Sequence, residues 1–122
     1  MAAPNIVNVT SIYGKTMGAA LGTTVTTTIL TCPANKVLKI NSIIVANVDG
    51  ANAADATVQF YDSSATATYR LANTIAVPAD STLVVISKDT AIYLEESDEI
   101  RAGASAASDL EIIISYEELD DA

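Results

Sequence analysis

Histidine and tryptophan are absent from this 122-residue chain, and cysteine, phenylalanine, proline and glycine are scarce, with one, one, three and five copies. Without histidine there can be no Ser-His-Asp or Cys-His arrangement, no imidazole metal ligand and no general base titrating near neutrality. The single cysteine, Cys32, excludes an intramolecular disulfide and a CxxC metal site. Next to Pro33, at the end of an apolar run, it reads as a small buried hydrophobe. The five glycines form neither GxGxxG nor GxxxxGK[ST], so no cradle for nucleotide phosphates is expected. No apolar run approaches the ~18 residues of a membrane-spanning helix. The first residues, MAAPNIVNV, carry neither the positive stretch nor the apolar stretch of a signal peptide.

Half of the chain is apolar, which places it among folded proteins. At this length it makes one domain with one core. That apolar half is dominated by alanine and β-branched residues, whose small side chains bury little area each; such a core points to stability shared with neighbouring subunits. The net charge of −9 is unevenly placed. Residues 1–91 hold five acids and five bases, whereas residues 92–122 hold ten acids against one base, Arg101. An acidic chain repels phosphate backbones, so nucleic acid is not an expected partner. A membrane is not expected either. The acidic quarter suits a solvated face or docking onto a basic partner surface.

Strand patterns recur along the chain between turn residues, as in a sandwich or barrel. They fall at residues 5–13, 23–31, 36–48, 56–62, 67–77, 82–88, 91–95 and 109–118, with 98–104 as one further short candidate. Runs such as TTVTTTILT are β-branched and stiff at χ1, which favours strand over helix. In 36–48 the alternation puts Leu38, Ile40, Ser42, Ile44 and Ala46 on one face. In 109–118 it turns Leu110, Ile112, Ile114 and Tyr116 inward and leaves Ile113 as the apolar exception on a polar face, fit to touch a neighbour. Pro33-Ala34-Asn35-Lys36 and Pro78-Ala79-Asp80-Ser81 are turns that open strands, and Glu96-Ser97-Asp98-Glu99 is a polar corner lacking the expected glycine. Asp49-Gly50 reads as a polar hairpin turn. Residues 14–22, GKTMGAALG, show no period and read as a loop or part of an extended arm. The expected fold is therefore all-β: a two-sheet β-sandwich, jelly-roll-like, of about eight strands with an extended N-terminal arm. Its parts are an arm and first edge strand at 1–22, a sandwich at 23–118 and an acidic tail at 119–122.

Chemistry is hard to place on this sequence. The candidate carboxylates Glu95, Glu96, Asp98 and Glu99 cluster in an exposed turn, and no tryptophan offers a platform for a sugar ring. The stretch from Asp49 to Asp55 lacks the ligand order of a calcium loop. No enzyme activity, cofactor or metal is expected. Tyr13, Tyr61, Tyr69, Tyr93 and Tyr116 are the only stacking candidates for a sugar-binding module.

The order TCPANKVLKINSIIVANVDG, VPADSTLVVISKDTAIYLEESDEI and SDLEIIISYEE resembles small virion structural proteins of marine tailed phages, cyanophages in particular. The resemblance covers nearly the whole chain and is carried by two Pro-Ala turns, core strands and an acidic corner, with Ser97 standing where such corners usually carry glycine. It implies a capsid decoration (cement) protein on the outer surface of the virion. Such a protein binds the major capsid protein, associates with itself (a trimer being favoured) and clamps neighbouring capsid subunits. A neck or tail component and a virion-displayed sugar-binding module are the alternatives. The surface expected to meet partners comprises Ile6, Val7, Val9, Ile12 and Tyr13 of the arm, with Ile113 and the acids Glu117 and Glu118.

Overall fold

A computed structural model describes residues 11–120. They form two antiparallel sheets packed face to face. Sheet A has the order β1 (Ser11–Ala20), β9 (Leu110–Asp120), β3 (Lys36–Asn47), β6 (Thr82–Ile86), with β7 (Ile92–Leu94) also paired to β3 beside β6. Sheet B has the order β2 (Thr28–Thr31), β8 (Glu99–Ala104), β4 (Ala54–Asp62), β5 (Ala67–Val77). A 3₁₀ turn at Lys88–Thr90 separates β6 from β7, so together they act as one interrupted strand. Counted so, there are eight strands, and first-last-third-sixth against second-seventh-fourth-fifth is the jelly-roll order.

The core lies between the sheets and is built by alternation. Ile112 and Ile114 of β9, Val45 and Ile43 of β3, Ile100 and Ala102 of β8, and Ala56 and Val58 of β4 are all fully buried. Burying each of the larger of these side chains stabilises the fold by about 1.5–3 kcal/mol. Asn47 ties the sheets at one end: its amide donates to the carbonyls of Asn52 and Val77, and its Oδ1 accepts the Asp49 N–H.

Several expectations from the sequence are corrected. Residues 14–20 are not a loop but most of β1, paired with β9 along its whole length. The strand expected at 5–13 and the arm residues Ile6, Val7 and Val9 lie outside the described residues, apart from 11–13, which begin β1. Only Thr28–Thr31 of the 23–31 pattern is strand; residues 23–27 form a loop beside β8, with Thr27 accepting the Ala102 N–H. Along β3 the expected face holds for Leu38 and Ile40. A bulge at Asn41 then reverses it, so that Ile43, Val45 and Asn47 are buried and Ser42, Ile44 and Ala46 turn outward. Asp49-Gly50 is not a hairpin turn: it carries the chain from sheet A to sheet B. The strand expected to end at 118 continues through Leu119, which is buried, to Asp120.

The corners use left-handed backbone without glycine. Asn35, Asp80 and Ser97 have φ of 62°, 60° and 69° at the three turns read from the sequence. Asn and Asp tolerate this region through local hydrogen bonds. At the third corner Asp98, 4% exposed, accepts N–H bonds from Ser63 and Glu95, both at 2.9 Å.

Candidate interaction surface

The register of sheet A aligns its outward side chains in rows across the strands, because directly opposed residues of an antiparallel pair share a face. One row reads Gly18, Ile113, Ile44, Val84 across β1, β9, β3 and β6. Ile113 and Val84 are 39% and 58% exposed. Three strand spacings make this row about 14 Å long. The row on one side is Thr16, Ser115, Ser42, with the two hydroxyls of Thr16 and Ser115 3.2 Å apart. On the other side stand Ala20, Glu111, Ala46, Thr82. Glu111 is thus the only charge in these three rows. Further along the strands, Gly14, Glu117, Lys39 and Tyr93 share a row in which acid faces base.

Of the residues expected at the surface, Ile12, Ile113 and Glu117 share this outward face. Ile12 is 57% exposed and Glu117 lies opposite Lys39. Tyr13 and Glu118 point the other way, at the end of the sheet. There Glu118 is no free acid for a partner: it meets Lys15 at 3.2 Å and Lys36 at 3.7 Å, and Lys36 also holds Asp120 at 3.0 Å. The hydrogen bond to Asp120 holds the Lys36 ammonium above its ordinary pKa. Ile44 and Val84 were missed by the sequence reading, Ile44 because the bulge at Asn41 cannot be seen in a two-residue alternation.

The outward face of sheet B is different. The loop at 23–27 lies on it so closely that a Cβ added at Gly103 would stand 2.6 Å from Val25 Cα and 2.8 Å from the Thr24 carbonyl oxygen. Beyond the loop, Arg101 stacks over the Tyr61 ring at 4.0 Å and donates from Nε to Glu99 at 2.9 Å. Glu99 also accepts the Thr28 hydroxyl at 2.6 Å, and these bonds, Arg101 first, hold its carboxyl below the usual range. Gln59 lies in the same row as Arg70 and Arg101 and is buried, its Oε1 without a hydrogen-bond partner.

Nothing among the described residues assembles a catalytic or metal centre: no three of Cys, Asp or Glu come together as ligands. A depression of about 230 Å³ between the 23–27 loop and Thr57 is smaller than the ~300–1,000 Å³ of small-molecule sites. Tyr61 lies on sheet B and Tyr93 on sheet A, so these two do not converge on one stacking platform. Burial pushes the Cys32 thiol up to about 11, so it stays protonated and poorly reactive at neutral pH.

No family model matches the sequence, and no curated protein matches it. Among solved structures, the fold is similar to a chain of the Bacillus endospore appendages, which form a family of disulfide-linked pili. The TM-score is 0.54 at 16% identity, over 92% of this chain and 90% of that one. At that identity the likeness extends to the fold alone.

Proposed function

We propose that this chain is a structural protein of a phage virion, a capsid decoration protein. In this reading it works as a homo-oligomer and lays the outward face of sheet A against the major capsid protein. The observation that carries the reading is the apolar row Ile113, Ile44, Val84, which with the rows on either side of it carries a single charge, Glu111, in a chain whose net charge is −9. Isolated exposed apolar residues are ordinary; here Ile113 and Val84 are joined through the half-buried Ile44 into one row, which suits a docking surface. The virion setting comes from the sequence resemblance. Residues 11–16 belong to β1, so a deletion that spares the sandwich must stop at residue 10.

A filament subunit is the second reading, motivated by the pilus chain of similar fold. Its covalent linkage does not transfer. A chain of subunits joined by disulfides needs two cysteines in each, and this sequence has one, Cys32, 2% exposed.

Two measurements test the proposal. Quantitative peptide mass spectrometry of purified virions should find this protein in hundreds of copies, near parity with the capsid subunit. A handful of copies would move it to the neck or tail, and absence would remove the virion reading. Ile113→Asp with Val84→Asp should abolish binding to capsids lacking the protein while leaving its circular dichroism unchanged; undiminished binding would reject this face as the contact.

A further inference from the structure

A two-sheet sandwich has four edges, and an edge strand exposes backbone N–H and C=O groups that invite another strand. Three of the edges here are guarded by irregularities of their own. β2 has four residues, and its register with β8 slips between Thr28 and Leu30. β5 has eleven, but its ladder shifts twice, Thr74 turns to φ 54°, and Arg70 stands exposed. The edge formed by β6 and β7 is broken by the 3₁₀ turn into pieces of five and three residues.

β1 has none of these breaks. It runs ten residues in unbroken register, from Ser11 opposite Asp120 to Ala20 opposite Glu111, without proline or left-handed backbone. Its one charged residue, Lys15, is drawn back onto Glu118. Its glycines are not required by the protomer: a Cβ at Gly14 would meet nothing within 4 Å, and one at Gly18 would make only ordinary contacts at 3.5 and 3.9 Å. Glycine inside a strand, where its own protomer leaves room, suits the close approach of another backbone.

We infer that β1 is a pairing edge for a second copy of this chain, joining two protomers antiparallel about a two-fold axis through Thr16. The identity of the occupant follows from the comparison of edges. Among the described residues β1 is the one regular edge of the four, so the regular edge that β1 can meet is β1 of another protomer. That contact is isologous and closes as a dimer, whereas a ring or head-to-tail fibre needs two different matching surfaces.

Register follows from faces and charge. An axis normal to the sheet keeps outward side chains outward, so even-numbered residues oppose even-numbered ones. Centring on Lys15 would set like charges opposite each other, a destabilising pair. Centring on Thr16 places Gly14 opposite Gly18 of the second protomer and Lys15 opposite its Met17, with residues 12–20 in the ladder; other centres shorten it. The joined sheet would carry both Ile113–Ile44–Val84 rows on one continuous face. The pairing does not depend on the virion reading.

The test uses the full chain. Directly opposed Cα atoms lie ~4.5–5.5 Å apart, within disulfide reach. Under mild oxidation Thr16→Cys should therefore give a covalent dimer on a non-reducing gel, and Thr82→Cys, on the same face at the far edge, should not. In sedimentation the wild-type chain should be a dimer and Thr16→Lys a monomer with unchanged circular dichroism. Mixing Thr16→Lys with Thr16→Glu should restore the dimer. A wild-type monomer or trimer, a dimeric Thr16→Lys, or equal cross-linking at positions 16 and 82 would each overturn the inference.

Discussion

Sheets A and B share one core, yet they are finished differently on their outer sides. Sheet B is closed by the chain itself: the 23–27 loop presses on Gly103, Arg101 covers Tyr61, and Glu99 gathers Arg101 and Thr28. Its edge strands are short or bulged. Sheet A carries an apolar row across its outer face and a ten-residue strand of unbroken register at its edge. On the reading proposed above, sheet B is the self-sufficient side of the molecule and the outer face of sheet A the associating side. Substitutions on the outside of sheet B should therefore cost stability, and those on the outside of sheet A should cost assembly.

The largest expected effect is at the corner that leads into sheet B. Asp98→Ala removes the acceptor of two N–H groups in a site with little access to water, leaving both unpaired. Unfolding in urea should show a loss of about 3 kcal/mol. Gly103→Ala comes next, because its Cβ would meet loop backbone at 2.6–2.8 Å and force residues 23–27 away. Overpacking of this kind costs about 1–3 kcal/mol and should appear as faster hydrogen exchange in the loop.

Alkaline pH probes the interior without mutation. The Cys32 thiol has a folded pKa raised from 9.0 to about 11 by burial. Its contribution is thus fully present below pH 9 and lost as pH rises through 11. Lys36, also raised, acts in the same direction. Urea midpoints should fall between pH 9 and 11, and Cys32→Ala should flatten that fall.

The smallest effects sharpen the contrast itself. Arg101→Ala on sheet B should cost about 1 kcal/mol through the lost stacking and ion pair. Ile113→Ser on sheet A should change the stability of the isolated protomer by less than about 0.5 kcal/mol. If Ile113→Ser were the more damaging of the two to the protomer, the division between the sheets would be wrong.

Much of the fold was legible in the sequence. The inward alternation of Leu110, Ile112 and Ile114, the exposed Ile113, and the corners at Asn35, Asp80 and Ser97 all stand where the residue pattern put them. The candidate surface was legible only in part. Ile113 announced itself by breaking an alternation; Ile44 was assigned to the wrong face because one extra residue at Asn41 reverses everything after it. Residues 14–20 carry no period because two glycines and two alanines interrupt it, and they are held in β1 by the ladder with β9, a hundred residues away.

The sequence by itself determined the all-β class, the placing of most turns and the absence of histidine-based chemistry. Those follow from side-chain branching, two-residue periodicity and composition, which act over a few neighbours. Only the tertiary structure decided that Glu118 and Asp120 meet Lys15 and Lys36. The same holds for the row of Ile113, Ile44 and Val84, and for the choice of the edges left open. Each of these depends on which distant strands pair and in what register, which is settled by the collective burial of both sheets.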